Sequence, residues 1–228
     1  MKEIVGRKLG MTRIFSESGE AVPVTVVEAG PCPVVARRAV DKDGYEALQI
    51  GFGKVKKVRK RRTRRRGPKV LSHANQAVAG QYARAGVEPR EFLREIRFDE
   101  GEIDVGSDLT VTLFNEGELV DVIGISRGLG FAGTMKRHGF SGANKTHGQS
   151  DRWRAPGSIG QCATPSRVFK GKRMSGRMGH DKVTVLKLRI VKIIEDENLM
   201  LIKGAVPGSK GSLVKVRTSN RSRNGLSK

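Results

Sequence analysis

The chain has 228 residues, with 44 Lys+Arg against 23 Asp+Glu, a formal net charge of +21 and a pI of about 10.6. Such an excess calls for an acidic partner, nucleic acid before anionic membrane, while 5% aromatic and 37% apolar residues allow only a modest core. Cys32 and Cys162 lie far apart with no CxxC, which speaks against a structural zinc site or a disulfide scaffold and fits a reducing compartment.

The opening MKEIVGRKLGMTRIF has no apolar segment of the secretory kind. No apolar run approaches the ~18–20 residues that span a bilayer, so a soluble, cytoplasmic protein is expected. Residues 1–52 read as all-β. Ile4 and Val5, then residues 11–15, are short apolar runs broken by Gly6 and Gly10, and residues 16–19 read as a turn. Residues 22–27 are rich in β-branched side chains, with Pro23 marking an edge or a strand start. Pro31 and Pro33 fence a strand over 34–40. DKDG at 41–44 is a hairpin signal, and 45–52 returns as a strand. Strands this short and this closely spaced suggest a small barrel or sandwich.

Residues 54–69 read KVKKVRKRRTRRRGPK, with no acid among them. A solvated loop is the plain alternative. With nothing nearby to quench the charge, phosphate contact is the stronger reading for Lys54, Lys56, Lys57, Arg59, Lys60, Arg61, Arg62, Arg64, Arg65 and Arg66. Next, SHANQAVAGQYARA at 72–85 has helix-forming composition, with Ser72 as N-cap and Gly86 as terminator. Pro89 suits the first position of a second short helix reaching Arg94. The expectation is a helical insert, 72–97, in a β domain.

Strands resume at 109–114 and 119–125 around the turn NEGE, 115–118. VTVLKLRIVKII, 183–194, is the strongest strand pattern in the chain. DEN at 196–198 turns it into 199–203, and PGSKG at 207–211 leads to a last strand, 213–216. Residues 218–228 read as a mobile basic tail.

Between these strands, residues 124–179 recur to glycine every few positions and hold a single acid, Asp151. No apolar run there can offset the entropy of ordering the segment. A polyanion would order it by neutralising mutually repelling charges. The expected division is therefore a β domain, 1–125 plus 181–217, and an excursion, 126–180, closed at its base. Candidate contacts in the excursion are Arg127, Lys136, Arg137, His138, Lys145, His147, Arg152, Arg154, Arg167, Lys170, Lys172, Arg173 and Arg177. Arginine forks onto phosphate and stacks on bases, and lysine supplies a point charge. Trp153, between Arg152 and Arg154, suits stacking on an unpaired base; packing on its own loop stands as an equal alternative. His73, His138, His147 and His180 share no ligand spacing, so no metal is expected. Cys162 has no histidine nearby and no apolar pocket around it, which favours a small packing residue over a nucleophile. Charge alone also admits a DNA-compacting protein. An RNA-modifying enzyme lacks support, since no cofactor loop or paired carboxylates occur in the basic region.

An ordered set of motifs goes further. GRKLGMTRIF, PVTVVEAGPCPVV, DGYEALQIGF and ARAGVEP precede a signature of Phe114, Asp121, Gly124, Ser126, Gly128, Gly130, Gly133 and Arg137. HGQS, PGSIGQ, TPSRVFKGKRMSGRMG and NLMLIKGAVPG follow. The set covers nearly the whole chain and resembles the family of universal ribosomal protein three of the large subunit. Three features depart from the family pattern: Leu129 where a basic residue is usual, Ala163 where some bacterial members carry a modifiable glutamine, and a denser arginine run at 59–66.

The resemblance implies a mainly β fold with a translation-factor-like barrel, a small helical insert and a long irregular basic extension. It implies a structural, non-enzymatic constituent of the large subunit, without cofactor or small-molecule substrate. Its partners would be large-subunit rRNA and neighbouring ribosomal proteins. The extension would thread rRNA toward the peptidyl-transferase centre, with Gln161, Cys162, Ala163 and Thr164 at its tip, and early binding would help nucleate assembly.

Overall fold

Runs of β-branched residues dominate the chain's two ends, and there they build one barrel. The computed structural model describes residues 2–55, 76–98 and 103–219. β1 (Glu3–Phe15) is a single strand of 13 residues, not two runs separated by glycine. Gly6 stays in the strand because β2 (Ala21–Ala29) presses on it: a Cβ there would lie 2.9 Å from a Val27 methyl group. Near Gly10 the pairing of β1 with β2 shifts register, a bulge that bends the strand without ending it.

β3 (Cys32–Arg38), the one-turn helix α1 (Val40–Asp43) and β4 (Ala47–Lys54) follow. The DKDG segment forms that helical turn, closed by Gly44 at φ 77°, and β3 and β4 pair as a hairpin with Arg38 opposite Ala47. Next come α2 (Gln76–Arg84) and β5 (Arg90–Ile96). The second helix expected from Pro89 to Arg94 is therefore a strand. Its residues complete the edge of β4, with Phe92 opposite Phe52 and Ile96 opposite Leu48, and Ile96 enters the core. That pairing outweighs a local helix-start signal. The insert is thus one helix and one strand rather than helical throughout, and its residues 72–75, with the expected Ser72 cap, lie outside the described residues. Tyr82 anchors α2 as its fully buried side chain; a Cβ on Gly51 of β4 would lie 3.1 Å from the tyrosine oxygen.

The strand expected over 109–114 shrinks to β6 (Asp108–Leu109), followed by a 3-10 turn, Val111–Leu113. β7 (Leu119–Ile125) comes next. Beyond β8 (Phe131–Ala132), α3 (Thr134–His138) and β9 (Gly176–Arg177), the chain forms β10 (Lys182–Ile194), β11 (Leu199–Lys203) and β12 (Leu213–Thr218). Six strands close into a barrel in the order β1-β12-β7-β10-β11-β2, and a four-stranded sheet runs β5-β4-β3-β6. The protein is mainly β with small helical elements. Val122 of β7 faces Val185 on one side and Val216 on the other, so both flanks of the basic stretch are locked in the barrel wall.

One core cluster serves both sheets, with Ile4, Val27, Ile50, Ile96, Val122, Ile190, Met200 and Ile202 in it. Each such side chain contributes about 1.5–3 kcal/mol of burial free energy. Two carboxylates are buried with partners. Glu3 accepts from Lys215 Nζ at 2.8 Å and from the Arg97 amide at 3.0 Å; Asp121 accepts from Arg217 at 3.2 Å and from the Lys187 amide at 3.1 Å. Such satisfaction is the condition for burying charge without large cost.

The chain resolves into two compact units: Met1–Ile125 with Lys182–Lys228, and Ser126–Asp181.

Candidate nucleic-acid interface

Charge separates sharply along the sequence. Residues 54–69 and 126–181 hold 22 of the 44 basic side chains and 2 of the 23 acidic ones, which leaves 22 basic against 21 acidic elsewhere. Those two segments, with 22 basic less 2 acidic side chains, therefore carry 20 of the chain's 21 excess positive charges. The second unit alone carries eleven basic residues against Asp151 and Asp181.

What holds that unit is mostly backbone. Its ends are tied by the Ser126 amide donating to the Asp181 carbonyl at 2.8 Å and the Asp181 amide donating to Ser126 Oγ at 3.1 Å. The Leu129 amide donates to the Met178 carbonyl and the Met178 amide to the Gly130 carbonyl, each at 2.9 Å. β8 and β9 then pair, Phe131 opposite Arg177. α3 ends at Gly139, whose φ of 74° lets its amide reach the Met135 carbonyl. From Gly139 to Ser175 there is no helix or strand. Only Ala132 and Thr134 of the unit's side chains are buried.

Several predicted contacts turn out to brace the unit as well. Arg137 donates to the Met174 carbonyl at 2.9 Å and lies over Gly176, where a Cβ would come within 2.5 Å of the guanidinium. His138 Nε2 sits 3.0 Å from the same carbonyl. Lys145 places its ammonium 5.3 Å from the Trp153 ring centroid, while Trp153 remains 40% exposed. Its indole is thus covered in part by its own loop and open in part to a partner. Arg127, Lys136, His147, Arg152, Arg154, Arg167, Lys170, Lys172, Arg173 and Arg177 are exposed, as are Gln161, Cys162, Ala163 and Thr164. Lys54 is the exposed last residue of β4; Lys56, Lys57, Arg59, Lys60, Arg61, Arg62, Arg64, Arg65 and Arg66 lie outside the described residues.

Sequence reasoning passed over two aromatics. Phe169, with Arg167 5.5 Å from its ring centroid, and Phe131, at 80% the most exposed large apolar side chain among the described residues, both present ring faces of the kind suited to stacking on bases. Their signal was the neighbouring arginine, as for Trp153. Phe131 meets its arginine across a strand pair, so that signal is not local in sequence.

Cys32 is fully buried, donates to the Val5 carbonyl at 3.3 Å, and burial pushes its thiol up to about 12. Among the described residues, no group of three His, Cys, Asp or Glu side chains is placed to hold a metal ion. No helix among them is long and apolar enough to cross a membrane.

Comparison with known proteins gives the family. The sequence model of the family Ribosomal protein L3 matches residues 107–199. The large ribosomal subunit protein uL3 of Acidothermus cellulolyticus is 49% identical over 96% of this chain and 93% of its own length. That of Corynebacterium jeikeium is 51% identical over 96% and 94%, and that of Chlorobaculum parvum 47% over 97% and 100%.

Proposed function

Because this chain belongs to the ribosomal protein L3 family, we propose that it is a structural constituent of the large ribosomal subunit that binds rRNA through residues 126–181. One observation carries the reading: a unit of eleven basic residues with only two small side chains buried. Such a unit has no apolar interior to stabilise it, and phosphate neutralisation supplies what the interior lacks. Exposed guanidinium groups fork onto phosphates, and the aromatics offer faces to unpaired bases, so RNA shape and backbone dominate recognition.

The finer reading follows from the family. The loop holding Gln161, Cys162, Ala163 and Thr164 points toward the peptidyl-transferase centre and catalyses nothing there. The basic residues of 54–69 add phosphate contacts, the barrel meets neighbouring ribosomal proteins, and early binding helps nucleate the subunit. The protein works in the cytoplasm as part of the ribosome.

Purified protein and large-subunit rRNA transcript test this. Binding that weakens steeply with salt, together with a backbone footprint lost on deleting 126–181, is the expected result. Equal affinity for duplex DNA at matched salt would instead favour a compacting role, and turnover of RNA by the protein alone would restore the enzyme reading.

A further inference from the structure

Within the second unit the loops border an open cavity of about 630 Å³, lined in part by Phe140, Ser141, Gly142, Gln149, Arg152 and Pro156. Its size falls in the range of small-ligand sites. The walls are fastened to each other. The Ala143 amide donates to the Trp153 carbonyl at 3.0 Å, while the segment before Gln149 is held in a turn by the Gln149 amide donating to the Thr146 carbonyl at 3.2 Å. Gly142, at φ 78°, has no room for a Cβ, which would overlap the Trp153 carbonyl. The wall carrying Phe140 and Ser141 is therefore held against the wall carrying Arg152.

Three chemistries converge there. Phe140 is half-buried and offers an aromatic face; the nearest ring, His138, is 6.0 Å away and tilted by 41°. Gln149 is half-buried, and among the described residues its side-chain amide has no hydrogen-bond partner. Arg152 is exposed at the mouth, and among the described residues its guanidinium has no ion pair. A π face, an amide with both donor and acceptor, and a free guanidinium match the three parts of a nucleotide: base plane, base edge and phosphate.

We infer that this cavity receives one unpaired nucleotide extruded from folded rRNA, with Phe140 against the base, Gln149 on its Watson–Crick edge and Arg152 on its phosphate. The inference rests on the rRNA-binding reading and adds to it a site that the exposed cations other than Arg152 do not require. Phosphate contacts position the protein, whereas an amide on a base edge selects which base enters.

The test uses full-length protein bound to large-subunit rRNA transcript, probed at every ribose 2′-hydroxyl and at Watson–Crick edges. One nucleotide should be flexible at its ribose yet protected at its base edge in the wild-type complex. Gln149→Leu should raise that base's edge reactivity about tenfold, the loss of roughly one well-made hydrogen bond. Gln149→Glu, which keeps the shape and removes the donors, should do the same at that base and leave the remaining footprint intact. Identical wild-type and variant footprints overturn the inference and leave rRNA binding standing. A uniform loss of protection in both variants also overturns it, because Gln149 would then be a strut and not a reader. No wild-type footprint at all sinks the rRNA-binding reading and this site with it.

Discussion

Backbone hydrogen bonds hold both the barrel and the 126–181 unit, but only the barrel has an apolar interior. In the barrel, Ile4, Val24, Val27, Val122, Ile190 and Ile202 show no accessible surface, and the two buried carboxylates are paired. In the second unit only Ala132 and Thr134 are buried, while Phe131, Trp153, Ile159, Val168 and Phe169 face outward. A barrel like this owes its shape to apolar carbon removed from water. The second unit keeps its apolar and cationic groups on the outside, where the proposed RNA partner would meet them. On the proposed reading, stability and recognition lie in separate parts of one chain.

The largest effect should come from cutting that division cleanly. Ile125 and Lys182 are cross-strand partners of β7 and β10, so a short Gly-containing turn can join them in place of 126–181. The barrel should still melt cooperatively, and rRNA affinity should fall on the order of a thousandfold at moderate salt, the scale of several lost phosphate contacts. A shortened protein that fails to fold would break the comparison, since it would make the second unit part of the barrel's stability. Next in size is Ile190→Ala. Its side chain lies in the core, so a loss of about 2–5 kcal/mol is expected in denaturant unfolding. Ile159→Ala, by contrast, should leave free-protein stability unchanged, because Ile159 is already 42% exposed.

Legibility in sequence divides along the same line. Val183–Ile194 is legible because its β-branched residues favour a strand whatever lies nearby, although Ile190 alone of them is buried. Residues 90–96 misled because the sequence shows a proline followed by good helix formers, while the unpaired edge of β4 that recruits them lies some forty residues earlier. The charge of the second unit was plain from composition. That Arg137 would bend back onto Met174, or that Gln149 and Phe140 would meet Arg152 around a cavity, was not. Those contacts depend on how an irregular backbone folds over itself, and no periodicity encodes that.

Replacing Arg152 and Arg154 together with Ala should weaken rRNA binding and reduce the slope of log K against log salt by about 1.4–1.8, near 0.7–0.9 for each phosphate contact. Trp153→Ala should cost roughly 1–3 kcal/mol of binding with no change in slope, since stacking releases few ions. A salt slope that ignores the double arginine change would remove those residues from the interface. A slope altered by Trp153→Ala would mean that the indole serves mainly to hold Lys145 in place.

The two cysteines, one in each unit, probe the same contrast. Cys162 is exposed and Cys32 is fully buried, so a thiol reagent should label Cys162 at once and Cys32 only as the barrel opens. Burial raises the Cys32 thiol from its ordinary 9.0 to about 12. Below pH 9 both the folded and unfolded chains keep that proton, and the stability is fully present. Between pH 9 and 12 the unfolded chain releases the proton and the folded chain does not, so stability falls by about 1.4 kcal/mol per pH unit. Cys32→Ala should be less stable at neutral pH but should lack this component of the alkaline decline. Parallel pH profiles for the two proteins would show that the Cys32 thiol is not shielded as the barrel's packing requires.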